Sequence, residues 1–268
     1  MEGVIRVPLA PIRAQADDRA ELVTQSLFGE LVEVHPVEGL PLWVKVRLSQ
    51  DGYEGYMDAR MAELDPEAVT AFNQDCHLLT SPLTSFSWGD QTLHLPAGAK
   101  VPTSAWPNAK PAAPSSVMDA AMRFLGAPYL WGGKSVLGMD CSGLTQISGH
   151  LCGLTIPRDA SQQWKALQRL QKQHSQLETG DLVYFHKVGS TSISHVGLAL
   201  MEEATSQVLH ASGEVRVDDE GRVTLFDEPR SLPIHPDPES ALQGERLEDR
   251  RRRDERRAHD RVRLGAQR

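Results

Sequence analysis

The chain has 268 residues, enough for one large or two small domains that each bury a core. Hydrophobic residues make up 40% and charged residues 24%, an ordinary soluble balance, and no run approaches the roughly 18 apolar residues of a membrane helix. The net charge of -8 conceals an asymmetry: segment 245–268 carries ten Arg against six acidic residues, so the rest is strongly acidic, which argues against nucleic acid as the main partner.

The opening "MEGVIRVPLAPIRAQADD" lacks a basic stretch followed by an apolar run, and the three cysteines show no paired spacing. Both features lead to the expectation of a cytoplasmic protein without disulfides. Residues 1–65 read as short strands split by turns. "GELVEVHPV" and "WVKVRL" are two of them, the second alternating at Val44, Val46 and Leu48. "DGYEGYMD" adds a turn and a further strand, and the spacing suggests a small β-barrel. Residues 66–104 carry weaker strand signals, at "CHLLTSPL" and "QTLHLPAG", and read as an extension of the barrel region. "AWPNAKPAAPSS", residues 105–116, has the composition of a linker.

The pattern then changes. "SVMDAAMRFLG" fits an amphipathic helix capped by Ser115 or Ser116, with Val117, Ala121, Phe124 and Leu125 on one face and Gly126 at its end. A second helix is expected from Cys141 to near Gly153 and a third from about Asp159 to Leu170. Strands follow at "GDLVYFH", "SHVGLALM" and "QVLHAS", with a weaker one at "RVTLF". Helices followed by an antiparallel sheet make residues 117–232 an α+β domain. The Arg-rich tail, 233–268, has too few apolar residues to offset ordering entropy and is expected to be disordered.

Chemistry concentrates in "YLWGGKSVLGMDCSGLTQISGHLCG", residues 129–153. Asp140 is a good N-cap, which puts Cys141 in the first helical turn, where unpaired N–H groups and the helix dipole favour a thiolate. A free cysteine is also a small hydrophobe that packs well, and local geometry alone leaves both roles open. Cys76 has no chemical context, and Cys152 has the leucine neighbours of a core residue. No CxxC or paired ligand spacing is present, so no metal site is expected. A nucleophile needs a base, and the base needs an orienting partner. His195 opens a strand after the polar "GSTSIS", and His210 lies in the next strand. Antiparallel pairing would make them neighbours, with His195 as base and His210 holding its ring; two hydrogen-bonded sheet histidines are the alternative.

The ordered set "PYLWGG", "MDCSG", "GDLVYF", "SHVGLAL" and "VLHASG" resembles the NlpC/P60 cysteine peptidases, a papain-like α+β fold, over about residues 114–227. The resemblance implies Cys141 as nucleophile, His195 as base, His210 as the third residue and Tyr129 as a tyrosine that polarises the scissile carbonyl. The stretch "PLAPIRAQADDRAELVTQSLFGELVEV" with "DGYEGYMD" resembles the bacterial SH3 (SH3b) domain of cytosolic murein-peptide recycling enzymes. In these γ-D-glutamyl-L-diamino acid endopeptidases the barrel forms a wall of the active site. By that resemblance Glu21 and Tyr56, with Tyr53 as the less favoured substitute, hold the free amino terminus of the substrate's L-Ala. Asp140 and Ser142 would contact the L-Ala-γ-D-Glu portion, and Ser161 would line the same pocket. The implied partner is a murein peptide, with no metal or organic cofactor, no nucleic acid and no membrane. The Arg-rich continuation departs from the family pattern. A secreted wall hydrolase of the same fold and a catalytically inactive murein-peptide binder are the rival readings.

Overall fold

The computed structural model describes residues 1–168, 176–186, 191–202, 205–220, 223 and 230–231. The expected tail, 233–268, and all of "RVTLF" except Val223 lie outside the described residues.

The N-terminal region is a seven-stranded antiparallel sheet of short strands. These are β1 (Glu2–Ile5), β2 (Leu9–Arg13), β3 (Leu22–Leu27), β4 (Leu31–Pro36), β5 (Trp43–Leu48), β6 (Glu54–Asp58) and β7 (Ala62–Glu63), in the order β3-β2-β6-β5-β4-β1-β7. Period-two alternation in β5 sends Val44, Val46 and Leu48 inward, where they meet Ile5, Ile12, Val32, Val34 and Met57.

The next segment opens with a helix, α1 (Pro66–Asn73), where only strands were expected. Its start signal was local: Asp65 accepts from the Ala68 N–H and Pro66 occupies the first turn. "CHLLTSPL" does not form one strand. It divides between β8 (Cys76–Leu78) and the start of β9 (Leu83–Trp88), which pairs with β10 (Gln91–Pro96), while β8 pairs with β11 (Lys100–Pro102). The segment read as a linker is pinned down. The Trp106 ring lies 5.3 Å from that of Phe86, and the Ala112 carbonyl accepts from Thr80 Oγ1 and Arg123 Nη1.

In the C-terminal half, α2 (Val117–Met122) is capped by Ser116 and is shorter than expected. It buries Met118, Ala120 and Ala121, with Phe124 just beyond, while Leu125 is exposed. A two-stranded hairpin, β12 (Lys134–Ser135) and β13 (Gly138–Met139), leads into α3 (Cys141–Leu151). After α4 (Ala160–Leu167) come β14 (Leu182–His186), β15 (Ile193–Glu202), β16 (Thr205–Ser212), β17 (Glu214–Asp219) and β18 (Arg230–Ser231). They form one antiparallel sheet in the order β17-β16-β15-β14-β18.

A continuous core joins the parts. Leu27 and Phe28 from the barrel, Phe72, Phe86 and Leu95 from the extension, and Phe124, Leu144, Ile147 and Leu198 from the C-terminal half belong to one apolar cluster. Helix α3 is the hub, buried at every position except His150. Its sequence, "CSGLTQISGHL", is too polar for burial in a wholly apolar core. Part of that polarity is met from the barrel, at Gln146 Nε2 and His150 Nδ1, and part within the C-terminal half, where Thr145 donates to Gln163, while Ser148 Oγ and Gln146 Oε1 are buried without a partner.

Candidate active site at the N-terminus of the buried helix

The geometry around Cys141 starts with a capped helix end. Asp140 is extended and its Oδ1 accepts from the Gly143 N–H at 2.7 Å, so Cys141 is the first helical residue. Close backbone packing seats this end. A Cβ at Gly143 would lie 2.2 Å from the Gly133 carbonyl oxygen, and one at Gly132, whose φ is +77°, would lie 2.3 Å from that of Leu22. This crowding buries the thiol, at 8% exposure, rather than presenting it on the surface.

Strand β15 closes over the sulfur. Cys141 packs with Val196 and Tyr184. His195, the residue before Val196, is buried, and its Nε2 lies 2.8 Å from His210 Nδ1 on β16. The pairing of Leu198 with Leu209 sets this register, and the missing side chain at Gly197 lets the adjacent strand pack close, since an added Cβ would lie 2.4 Å from Val208 Cγ1. An added Cβ there would lie 3.1 Å from His210 Cβ. A bulge between Phe185 and His186 on β14 falls beside His195, where β-bulges re-aim side chains. His210 Nε2 is 3.1 Å from Asp218 Oδ2 on β17, a carboxylate gripped by Arg216.

Burial keeps both partners neutral at rest. Desolvation, and then the Asp140 charge, push the Cys141 thiol up to about 12, against the pull of the Val196 and Ser142 N–H groups and of Arg158. Desolvation and the proximity of His210 push His195 down to about 3. The resting thiolate expected from the helix dipole is therefore outweighed by burial.

The other side of Cys141 is held by Arg158, 1% exposed. Its Nη1 donates to Asp140 Oδ1 at 3.0 Å and to Ser142 Oγ at 2.9 Å, and its Nη2 donates to Asp140 Oδ2 at 2.7 Å. Its Nε donates to Thr24 Oγ1 of barrel strand β3 at 2.9 Å, so one guanidinium ties the barrel to the cap of α3. Nearby, Lys134 forms a buried ion pair with Glu30 at 3.0 Å and donates its backbone N–H to Gln25 Oε1. The barrel also reaches α3 through Asp51, which accepts from Gln146 Nε2, and through Gln50, whose Nε2 meets His150 Nδ1.

Several residues expected at the substrate stand differently. Both Asp140 oxygens are already taken, by Gly132 N, Gly143 N, Ser142 Oγ and two arms of Arg158, which leaves no acceptor for a substrate ammonium. The Ser142 hydroxyl is bound up in the same network. Ser161 is exposed, and its neighbour Ala160 is the residue that packs with Cys141. Tyr56 pairs in the barrel sheet with Lys45 and Arg13, whereas Tyr53 crosses to the C-terminal half and donates to Asp159 at 3.1 Å. Glu21 does reach across: its Oε1 accepts from Trp131 Nε1 at 2.7 Å. Tyr129 is partly exposed two residues before Trp131 and bridges to Met139, just ahead of the cap. Sequence reading missed Trp131, Arg158, Asp159 and Asp218. Among the described residues no group of His, Cys, Asp and Glu is placed to hold a metal, and no helix is long and apolar enough to cross a membrane.

Residues 126–224 match the NlpC/P60 family, and residues 12–60 match the bacterial dipeptidyl-peptidase SH3 domain. The chain carries an NlpC/P60 domain behind a bacterial SH3 domain. In an alignment 218 residues long that covers 66% of this chain, it is 28% identical to a γ-D-glutamyl-L-lysine dipeptidyl-peptidase of Bacillus cereus. It is also 41% identical over 83 residues, 31% of its length, to a Bacillus subtilis protein of the same name. It spans 64% of the length of the first relative and 27% of the second. The crystal structure of an NlpC/P60 family protein from Bacillus cereus shares the fold, with a TM-score of 0.70 at 21% identity, covering 88% of this chain and all of that one. The Cys141–His195–His210 cluster falls inside the NlpC/P60 domain, and Glu21, Thr24 and Tyr53 fall inside the SH3 domain.

Proposed function

We propose that the protein is a cytoplasmic cysteine peptidase that cleaves the γ-D-glutamyl–diamino acid bond of murein peptides with a free N-terminal L-Ala, releasing L-Ala-D-Glu for recycling. The observation that carries this reading is a buried thiol at a helix N-terminus, beside a 2.8 Å histidine pair and walled by the SH3 barrel. His195 takes the thiol proton as the sulfur attacks the γ-glutamyl carbonyl. The oxyanion is held by the Cys141 N–H and the Tyr129 hydroxyl. His195 then passes its proton to the departing diamino-acid amine, and a water activated by the same ring hydrolyses the thioester. The names of the two Bacillus relatives support this bond class, with L-lysine as one candidate diamino acid. At the barrel wall Glu21 and the half-buried Asp159 are the acceptors available to a substrate ammonium, since Asp140 is saturated. Burial raises Asp159 above its ordinary carboxyl value, against the opposing pull of the Tyr53 hydrogen bond and the Arg158 charge.

The test uses L-Ala-γ-D-Glu peptides ending in L-lysine or meso-diaminopimelate, each with its N-acetylated twin, followed by mass. Release of L-Ala-D-Glu from the free peptides alone, abolished in Cys141→Ala, is the expected result. Equal cleavage of acetylated peptides, or turnover of intact peptidoglycan, would instead favour a secreted wall hydrolase. No cleavage by folded protein would favour a binder.

A further inference from the structure

One carboxylate beside the histidine pair has no part in the chemistry outlined above. Asp218 sits on β17, two residues beyond Arg216, and Arg216 is the cross-strand partner of His210. Residues two apart on a strand share a face, so Arg216, Asp218 and His210 converge on one side of the sheet. Arg216 Nε donates to Asp218 Oδ2 and its Nη2 to Oδ1, each at 2.8 Å, while Oδ2 also lies 3.1 Å from His210 Nε2. We infer that Asp218, gripped by Arg216, is a positioning residue that sets the tautomer of both imidazoles and so leaves Nδ1 of His195 as the nitrogen able to take the thiol proton. This rests on the reading of Cys141 as nucleophile and His195 as base.

The argument runs along the hydrogen bonds. Burial raises the Asp218 carboxyl, but the hydrogen bonds from Arg216 and His210 and the Arg216 charge more than reverse this, so the group is ionised at neutral pH. An ionised carboxylate only accepts, so the hydrogen between it and His210 belongs to Nε2 of the ring. While His210 is a neutral ring its one N–H is spent on Asp218, so its Nδ1 presents a lone pair and accepts across the 2.8 Å contact from His195 Nε2–H. That spends the single hydrogen of His195 on Nε2 and leaves Nδ1 without a proton of its own. Reverse the first link and every link reverses: His210 would donate from Nδ1, His195 would accept at Nε2, and its proton would move to Nδ1, where it can no longer act as a base. When His195 does gain the thiol proton, its Nε2–H still points at the His210 lone pair, and the Asp218 charge stands behind that ring.

The test needs no murein peptide. 15N-histidine NMR of the wild type reads the tautomer of each ring, and iodoacetamide alkylation at neutral pH reads the ease of deprotonating Cys141. Both rings are expected as Nε2–H. In Asp218→Ala the His210 and His195 signals should shift toward the Nδ1–H form, and alkylation should slow at least about tenfold, up to the roughly 10²–10⁴-fold contribution of a general base. Arg216→Gln, which loosens the carboxylate without removing it, should give a smaller change in the same direction and covers the case that Asp218→Ala does not fold. A role confined to stability would leave both the tautomers and the alkylation rate of folded protein unmoved. Wild-type His210 protonated on Nδ1, or a folded Asp218→Ala with wild-type tautomers and alkylation, overturns the inference. Failure of the wild type to cleave any peptide while these signatures hold would sink the proposed substrate and leave the relay standing.

Discussion

On its barrel side Cys141 rests against full charges locked in place, whereas on its sheet side it meets an imidazole, His195, that burial keeps neutral. The barrel side is Arg158 and Asp140, both nearly inaccessible, with the carboxylate saturated by its donors. The sheet side is His195 and His210 in a line of single hydrogen bonds ending at Asp218. The difference separates scaffolding from chemistry. A charge pair buried with all its partners is costly to disturb, so it holds the helix end still. Neutral rings can gain and lose a proton during turnover, which a base must do.

The largest expected effect breaks the rigid side. Arg158→Leu leaves the Asp140 carboxylate buried without its counter-charge and also cuts the tie to Thr24. Removing one partner of a buried pair costs about 3–5 kcal/mol. Urea denaturation should show that loss, and adding Asp140→Asn should recover part of it; a change within about 0.5 kcal/mol, the usual range for surface substitutions, would contradict the scaffold role.

Acid should act first on the neutral side. His195 titrates near 3 when folded and near 6.5 when unfolded, so between these values the unfolded chain binds more protons. The stabilisation is therefore complete above about pH 6.5 and is lost as pH falls toward 3, at about 1.4 kcal/mol per pH unit for one such group. His150, pushed down to about 4 by burial at the barrel contact, acts with the same sign over a narrower window. Denaturation from pH 7 to 5 should show this slope. His195→Gln should remove one proton's worth of it, and an unchanged slope would mean the ring is charged in the folded protein.

The smallest effect distinguishes the two barrel tyrosines. Tyr53→Phe loses the hydrogen bond to Asp159 and should cost about 1 kcal/mol, while Tyr56→Phe should be close to neutral. The same pair tests the proposed amine site: Tyr53→Phe should raise KM for free-amine peptides more than Tyr56→Phe does. Equal effects would remove the reason for preferring Tyr53.

Much of this was legible locally. The cap at Asp140, the helix starting at Cys141, the alternation of β5 and the antiparallel approach of His195 to His210 all follow from residue types at short spacing. The start of α1 was equally legible in Asp65, Pro66 and Glu67, yet the strand-like residues after it obscured the signal. Strand β17 went unread in "EVRVDD", and Asp218 was lost with it.

The rest depends on who meets whom across the fold. Arg158 lies 134 residues from Thr24, and Trp131 lies 110 from Glu21, distances over which no periodicity carries information. The sequence by itself determined where the thiol sits on its helix and which strands carry the histidines, because capping, periodicity and pairing are rules of neighbours. Tertiary structure decided that Asp140 is already saturated, that Tyr53 rather than Tyr56 crosses the interface, and that thiol and imidazole rest neutral. Hydrogen-bond supply and desolvation are set by the packed surroundings of a group, and residues distant in the chain make up those surroundings.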